Sequence, residues 1–298
     1  MPAVRRDPLR PPPAARRAPG LTRGPGRPTP MNAPALAPRR EGPVSRPGDK
    51  SAAARERMSR DPREPLLLAD WDDVLMIHYE VDPAELAPCV PFPLDLHEGR
   101  GFVSLVAFSM RGMRPARGGR PGAWLFHPIA AHGFLNVRTY VTVGGEPGIY
   151  FLTEHLDNRL SLRLGPPLFG LPYRFARIRY RHAWRTGHIE GRVTDPRDGA
   201  AFTYRALASA DPADYRPAAA GTLTEWLMER YAAYTARGAK RRRFRVAHDP
   251  WSEAPAAVRI VEDSLLRERW PWFANARLVG ANFSPGLRDV WMGRPGSI

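Results

Sequence analysis

The sequence predicts a mainly β fold of the α+β class, with at least nine strands in a barrel or a sandwich and a few packed helices. Two observations support this prediction. Segments of strand length with alternating apolar and polar residues recur from residue 71 onward, separated by turn residues, and only one segment has a strong helical pattern. Nine strands favour a closed or two-layered arrangement over an open sheet with exposed edges.

The first elements are predicted to be two strands joined by a short helical turn. Residues 74–81 alternate as a half-buried strand does, and Asp82-Pro83 is a standard signal for the start of a helix. Residues 99–110 are apolar on both faces, which is typical of a central strand. Residues 111–122 combine glycine, proline and arginine, and this composition predicts a mobile loop.

Residues 134–143 have the clearest strand pattern in the chain. One face of this strand carries Leu135, Val137, Thr139, Val141 and Val143. The other face carries Phe134, Asn136, Arg138, Tyr140 and Thr142. The turn sequence at 144–148 leads into a second strand at 149–156, so the two strands are predicted to form a hairpin.

The remaining elements are more strands and one prominent helix. The further strands are predicted at residues 173–182, 188–194, 201–207, 243–248, 258–261 and 276–283. A capping box at Thr222 and Glu225, followed by an aromatic and aliphatic stripe, predicts a helix from residue 222 to about residue 236. Residues 263–269 are predicted to form a second short helix.

The first 65 residues have a composition that predicts disorder. They hold 15 of the 34 prolines, and 15 basic against six acidic residues give them +9 of the total charge of +15. We therefore predict a disordered tail over residues 1–65 and a single domain over residues 66–298. Because the globular pattern begins soon after Met58, a further hypothesis is that translation starts there or that residues 1–57 are dispensable.

Several classes of protein do not fit the sequence. No apolar run approaches the roughly 20 residues that span a bilayer, and no signal-peptide core follows the arginine pairs, so no membrane partner is predicted and the cytoplasm is the expected compartment. Cys89 is the single cysteine, and packing is its predicted role. Motifs of nucleophile elbows, phosphate loops and zinc helices do not occur. No cofactor and no metal is predicted.

The high positive charge raises the alternative of a nucleic-acid partner. The basic run at residues 240–243 has no flanking aromatic platform beyond Phe244, and this favours a solvated face. Nucleic-acid association is therefore disfavoured, and it is retained as an alternative only through the basic N-terminal tail.

The inward face of the predicted hairpin is the candidate ligand site. If the Leu135 face packs under a covering layer, Asn136, Arg138 and Tyr140 line the inside, where an unpaired guanidinium is costly. Glu154, on the partner strand, either forms a structural salt bridge with Arg138 or stays free for acid–base chemistry. Both interpretations remain open at this point. A buried arginine among polar side chains suits the recognition of a small carboxylate.

Several strings in the chain resemble one known family. The most specific string is LNVRTYV at residues 135–141. Other matching strings lie at residues 71–78, 94–99, 147–151, 170–173, 202–204, 224–231 and 248–251. From about residue 66 to 292 the chain resembles the domain-of-unknown-function family 2071, which is similar to the acetoacetate-decarboxylase-like superfamily. The resemblance implies a cone-shaped antiparallel β-barrel with an internal pocket and a few packed helices.

The resemblance does not carry over the decarboxylase mechanism, which uses a buried lysine that forms a Schiff base. No lysine lies between Lys50 and Lys240 in this chain. The common family pattern also has an acidic residue before the LNVRTYV string and a Ser-Leu-Asp-like end to the second strand. Here Phe134 and Thr-Glu-His at 153–155 occupy those places, which suggests that the carboxylate has moved across the hairpin.

The predicted function is the binding of a small carboxylate or carbonyl compound in an internal pocket. The predicted ligand-binding side chains are Asn136, Arg138, Tyr140 and Tyr173. Glu154 or His155 is expected to transfer a proton in a lyase-like or isomerase-like step that uses no lysine Schiff base. One alternative is a non-catalytic ligand-binding protein in which Arg138 and Glu154 form a closed ion pair. No oligomeric state is predicted.

Overall fold

Fifteen strands and six short helices make up residues 46 to 298, which are the residues that the computed structural model describes. The helices are α1 (Asp49–Ser59), α2 (Pro83–Leu86), α3 (Gly119–Phe126), α4 (Arg159–Phe169), α5 (Leu223–Met228) and α6 (Ser264–Arg267). The first strands are β1 (Pro65–Val81), β2 (Gly101–Pro115), β3 (His132–Val143), β4 (Glu146–Leu156), β5 (Tyr173–Phe175), β6 (Arg177–Ala183), β7 (His188–Thr194) and β8 (Ala201–Leu207). The others are β9 (Arg216–Pro217), β10 (Ala232–Arg237), β11 (Lys240–Ala247), β12 (Ser252–Pro255), β13 (Ala257–Glu262), β14 (Arg277–Gly293) and β15 (Gly296–Ser297). None of these six helices is long and apolar enough to cross a membrane.

The larger sheet closes on itself. Its strands follow the order β15-β11-β10-β4-β3-β2-β1-β14-β12-β9, and β5 is added beside β4. β11 also pairs with β14, through Val246 with Met292 and Ala247 with Trp291. This pairing joins β11, β10, β4, β3, β2, β1 and β14 into a ring. The long strands β1 to β4 are antiparallel neighbours and form one continuous wall of it.

A second sheet, in the order β13-β8-β7-β6, covers the outside of this wall. Leu135 and Val137 of β3 share a hydrophobic core with Phe202 of this sheet. Phe134 and Tyr140 of the same strand belong to a different core, inside the ring. The two faces predicted from the alternation at residues 134–143 are therefore confirmed. The predicted hairpin is confirmed as well, because β3 and β4 pair around a two-glycine turn with positive φ at both glycines.

The loop predicted at residues 111–122 is wrong. β2 continues to Pro115 because its end pairs with the start of β1, where Leu67 stands opposite Pro115 and Leu68 opposite Arg114. Gly118, at a φ of 114°, then turns the chain into α3. Backbone pairing with a long neighbouring strand outweighs a composition that by itself is typical of a loop.

The helix predicted from residue 222 to 236 is right at its start and wrong at its end. Thr222 caps α5 as expected, since its side chain accepts from the Glu225 backbone at 3.3 Å. The helix ends at Met228, and residues 232–237 form β10 instead. β10 lies between β11 and β4 and completes the ring, so its backbone groups bond to strands on both sides. The helical spacing of the stripe is coincidental there.

The single strand predicted at residues 173–182 is two strands in the structure. β5 adds to β4 in the ring, whereas β6 belongs to the covering sheet. The fully buried Ala176 lies between them, where the chain crosses from one sheet to the other.

Helix α1 contradicts the disorder predicted for residues 49–59, while residues 1–45 lie outside the described part of the chain. Met58 is fully buried and Ala54 nearly so, and both pack against Tyr231 and Ala247. The Ser51 hydroxyl donates to the His248 carbonyl oxygen. The short helix is held by these contacts to the ring, which composition does not reveal.

A chain that begins at Met58 is expected to be less stable than one that begins at residue 46, by roughly 2–4 kcal/mol. The shorter chain loses the buried Ala54 and the Ser51 hydrogen bond and uncovers Tyr231. Urea denaturation of residues 46–298 and 58–298 measures the difference. Equal stabilities would show that α1 is dispensable, as the hypothesis of a start at Met58 requires.

Candidate functional site

The ring encloses a cavity of about 630 Å³. This volume lies within the range of roughly 300–1,000 Å³ that is typical of ligand pockets. The inward faces of β1, β2, β3, β4 and β11 supply most of its walls. Leu164 and Leu168 of α4 line it and are about half exposed, so α4 lies at the mouth. The lining is mostly apolar, and its charged residues are Arg138, Glu154, Arg163 and Arg230.

Arg138 lies deep in this cavity and has no carboxylate partner. Its side chain makes two long contacts, from Nη2 to the Met76 sulfur at 3.6 Å and to the Leu227 carbonyl oxygen at 3.4 Å. Its Nε has no hydrogen-bond partner among residues 46–298. No acidic oxygen in the same range lies within 4.0 Å of the guanidinium. Arg138 is only 7% exposed, so its charge is buried and uncompensated.

The charge of Arg138 acts on two nearby histidines. Burial, with the Arg138 charge adding to it, lowers the pKa of His78 to about 3. Burial also lowers the pKa of His248 to about 4, and Arg138 again contributes. Both rings are therefore neutral at physiological pH, and the deep end of the cavity carries the positive charge of Arg138 without a counterion.

Glu154 is the buried carboxyl of the cavity. It is 4% exposed, and its Oε2 has no hydrogen-bond partner within the described part of the chain. Burial raises the pKa of Glu154 well above its ordinary value of 4.5. The protein therefore favours the protonated, neutral form of this side chain.

A β-bulge in β4 turns Glu154 toward the cavity. Opposite β3, the register passes from Phe151 to Thr153 and skips Leu152. Strict alternation from Phe151, which lines the cavity, would have placed Thr153 and His155 inside. The extra residue shifts the pattern by one, so Glu154 faces inward instead.

His155 does not lie at the cavity, contrary to the prediction of a proton-transfer role. It stands opposite Leu135, whose side chain faces the outer core, and it is 1% exposed. Burial, with the charges of Arg269 and Arg174 adding to it, lowers the pKa of His155 to about 4. The two residues proposed as alternative acids are thus on opposite faces of the wall.

The structural ion pair considered for Arg138 and Glu154 is also not formed. Phe151, and not Glu154, stands opposite Arg138 on β4. The partner opposite Glu154 is Asn136, one step along the strand on the same face. The guanidinium of Arg138 and the carboxyl of Glu154 therefore line the cavity side by side without forming an ion pair.

Asn136 and Tyr173 flank Glu154, as members of one row across the wall. Asn136 stands opposite Glu154 on β3, and Tyr173 pairs with it on β5. The Asn136 Oδ1 has no hydrogen-bond partner among residues 46–298. Burial, with the Glu154 carboxyl adding to it, raises the pKa of Tyr173. Both side chains line the cavity, as predicted from the sequence.

Tyr140 is fully buried but does not reach the cavity, which corrects its predicted role as a ligand contact. Its hydroxyl donates to the Leu227 carbonyl oxygen at 3.0 Å and lies 2.5 Å from the Ser104 hydroxyl. The Ser104 hydroxyl lies 2.7 Å from Nδ1 of His78. Tyr140 therefore positions the backbone that Arg138 contacts and supports the site from behind.

The basic residues of the cavity that the sequence interpretation did not single out include His132 and Arg230. His132 packs on Phe134 at 4.7 Å, both its ring nitrogens lack partners among the described residues, and burial lowers its pKa to about 4. Extending the alternation two residues back from Phe134 would have identified it. Arg230 forms an ion pair with Asp95 at 2.6 Å, so its charge is compensated, unlike that of Arg138. Arg230 was not identified because the sequence placed it within the predicted helix at residues 222–236.

Neither lysine of the chain lies at this cavity. Lys50 is on α1 and pairs with Glu225 at 2.9 Å, and Lys240 is exposed at the start of β11. The described residues also contain no group of three or more His, Cys, Asp or Glu side chains arranged to hold a metal ion.

Comparison with known proteins relates this chain to one family. The family model DUF2071, an uncharacterized conserved protein, matches residues 68–277. The uncharacterized protein YqjF of Bacillus subtilis (strain 168) is 31% identical over 205 residues, which are 65% of this chain and 79% of that protein.

Solved structures show the same fold. Acetoacetate decarboxylase from Legionella pneumophila superposes with a TM-score of 0.55 at 13% identity, covering 79% of this chain and 88% of that one. An acetoacetate decarboxylase-like enzyme from Sphingomonas wittichii RW1 superposes with a TM-score of 0.53 at 19% identity, covering 79% of this chain and 93% of that one. The enduracididine biosynthesis enzyme MppR complexed with pyruvate superposes with a TM-score of 0.52 at 12% identity, covering 78% of this chain and 90% of that one. The acetoacetate-decarboxylase-like fold that the sequence resemblance implied is confirmed.

Proposed function

The chain belongs to the DUF2071 family of uncharacterized conserved proteins, and on that premise we propose a function for its cavity. The cavity binds a small carboxylate or carbonyl compound through Arg138. Glu154 then exchanges a proton with the bound molecule, in a lyase-like or isomerase-like step.

The uncompensated Arg138 is the observation that carries this proposal. A buried guanidinium without an anion is costly, and a ligand carboxylate supplies two oxygens that match its planar donors. Arg138 has no acidic group within 4.0 Å among residues 46–298, and it opens onto a cavity large enough for an organic molecule. The MppR structure contains pyruvate, a carbonyl acid, on the same fold, which supports a ligand of this chemistry.

Glu154 is suited to give a proton to a ligand held by Arg138. On neighbouring strands the two residues are one diagonal step apart, roughly 7 Å, which leaves room for a carbonyl group between them. A neutral Glu154 does not repel an anionic ligand, and its raised pKa makes it a proton donor nearer physiological pH. The neutral Glu154 donates its proton to the carbonyl oxygen, and the resulting carboxylate takes a proton from the carbon beside the carbonyl, so that the ligand becomes an enol and Glu154 is restored. The reverse transfer returns a proton to that carbon and re-forms the carbonyl.

The proposed chemistry uses no lysine Schiff base. Both lysines of the chain are described, and both lie away from the cavity lining. The alternative of a closed structural pair has lost its support, since Arg138 faces Phe151. Association with nucleic acid through the basic N-terminal tail stays the disfavoured alternative, because residues 1–45 of that tail lie outside the described residues.

A ligand screen of the full chain by thermal shift tests the binding step. We expect hits among small carboxylates, keto acids, aldehydes and ketones, with about 2.7 kcal/mol of stabilisation when a ligand is present at 100 times its Kd. Arg245 provides a matched control, because it lies on β11 beside the cavity-lining Val246 but does not line the cavity itself. Hits should disappear in Arg138→Met and persist in Arg245→Met. Hits that shift Arg138→Met as much as wild type would refute the anion anchor.

A further inference from the structure

We infer that the ligand of this cavity is an amphipathic monocarboxylate, with an apolar body of at least about six carbons beyond the carboxylate. The inference rests on the proposed function, because Arg138 is taken to hold the carboxylate. It adds that the rest of the cavity recognises a hydrocarbon or aromatic body, so three- and four-carbon acids are poor ligands.

The volume of the cavity exceeds the needs of a very small acid. An oxo acid of three or four carbons has six or seven heavy atoms. At the roughly 30 Å³ that one water molecule occupies in the liquid, such an acid fills about 200 Å³. The cavity holds about 630 Å³, so roughly two thirds of it would stay empty or wet.

The walls between the mouth and Arg138 are mostly apolar, and Asn136 and Glu154 are the polar side chains among them. β3 runs inward from His132, near the mouth, to Arg138, six residues and about 20 Å further along the strand. Phe134 lies between them and stacks on Phe108 at 5.2 Å, while Trp71 and Trp251 stack at 5.9 Å on another wall. Water in such a passage finds few hydrogen-bond partners, and an apolar ligand body releases it.

The mouth is apolar as well. α4 carries Leu160, Leu164 and Leu168 at intervals of four residues, and all three are 42–50% exposed. Leu164 and Leu168 line the cavity, and α3 adds Phe126, which is partly exposed. Large exposed apolar side chains that rim a cavity are typical of an entrance for apolar ligands.

The charges of the deep end fit one carboxylate. Arg230 already pairs with Asp95, and Arg163 lies exposed on the mouth helix. Arg138 is therefore the one deep cation in the described lining that has no acidic partner. A diacid would have to bury its second charge against apolar walls, which is costly.

Binding of straight-chain monocarboxylates from two to twelve carbons to the full chain tests the inference by calorimetry. The affinity should rise about fourfold with each added methylene across this series, because the twelve-carbon acid is still smaller than the cavity. The 1-alkanols of the same lengths serve as probes without the carboxylate and should bind at least 30-fold more weakly than the matching acids.

Two variants of α4 locate the apolar body. Leu164→Glu places a carboxylate in the lining of the mouth and should weaken acids of eight or more carbons at least tenfold, with little effect on butyrate. Leu160→Glu is the matched control, since Leu160 lies one turn earlier on the same helix, has similar exposure and does not line the cavity. Leu160→Glu should leave the affinity for every acid unchanged. Both substitutions lie at exposed positions of α4, where a charged side chain is tolerated.

The outcomes separate this inference from the proposed function. Short acids that bind as tightly as long ones, with binding lost in Arg138→Met, would overturn the apolar body and keep the anion anchor. Length-dependent binding of alkanols together with no binding of acids would overturn the anchor and the carboxylate. Equal effects of Leu164→Glu and Leu160→Glu would overturn the placement of the apolar body at the mouth.

Discussion

Replacing Arg138 with methionine should abolish ligand binding while leaving the free protein as stable as wild type or more stable. Truncating one partner of a buried charge pair costs about 2–5 kcal/mol, which corresponds to a loss of roughly 30-fold to several thousand-fold in affinity. In the free protein, however, the guanidinium has no acidic partner among residues 46–298 and contacts Met76. Methionine removes a buried charge and keeps most of the volume, so the free energy of unfolding should stay level or rise by about 1–4 kcal/mol.

Calorimetric binding and urea denaturation of Arg138→Met measure the two effects separately. The histidines provide a third reading, because the Arg138 charge contributes to the low pKa of His78 and His248. Both pKa values should rise in Arg138→Met, and NMR titration of the imidazole protons detects this. Arg245→Met is the control for removing an arginine elsewhere on the ring. A strong loss of stability in Arg138→Met would show that the guanidinium has structural partners and would weaken its assignment to a ligand.

Replacing Glu154 with glutamine should stabilise the protein at neutral pH and not at pH 4. The pKa of Glu154 is raised in the folded state, so folding favours its protonated form. Wild type therefore loses stability as the pH rises from about 4.5 through the raised folded pKa, by about 1.4 kcal/mol per pH unit. Glutamine does not titrate, so the variant lacks this loss and the difference between the two proteins grows with pH.

Urea denaturation of both proteins between pH 4 and pH 8 measures this difference. Glu253→Gln is the matched control, since burial also raises the pKa of Glu253 and its carboxylate accepts from Asn282 at 2.6 Å, away from the cavity lining. Glu154→Gln should keep carboxylate binding and lose exchange of deuterium into the ligand carbon beside the carbonyl. Glu253→Gln should keep both. A constant stability difference across the pH range would mean that the pKa of Glu154 is not raised in the folded protein.

Much of the candidate site followed from local patterns in the sequence. Alternation at residues 134–143 identified the face that carries Asn136 and Arg138, and the cost of burying arginine identified the need for an anion. The same alternation also turned Tyr140 inward, but packing against Trp226 at 4.7 Å keeps it behind the cavity. The face of a strand on which a side chain lies is set by the local sequence. Whether that side chain contacts the cavity depends on the residues that pack around it.

The errors in the predicted fold have one physical origin. Residues 111–115 and 232–237 are strands because long neighbouring strands bond to their backbones, although their own residues favour a loop and a helix. Residues 49–59 are helical because Met58 and Ala54 pack on the ring. In each case a partner distant in the chain outweighed the local preference.

The sequence by itself determined the family, the acetoacetate-decarboxylase-like fold, and the inward direction of Arg138, because these depend on specific strings and on the two-residue period of a strand. Only the tertiary structure decided between Glu154 and His155. The bulge at Leu152 is set by the register against β3, which no local pattern records, and it turns Glu154 into the cavity and His155 away from it. The same register places Phe151 opposite Arg138 and thereby leaves the guanidinium free for a ligand.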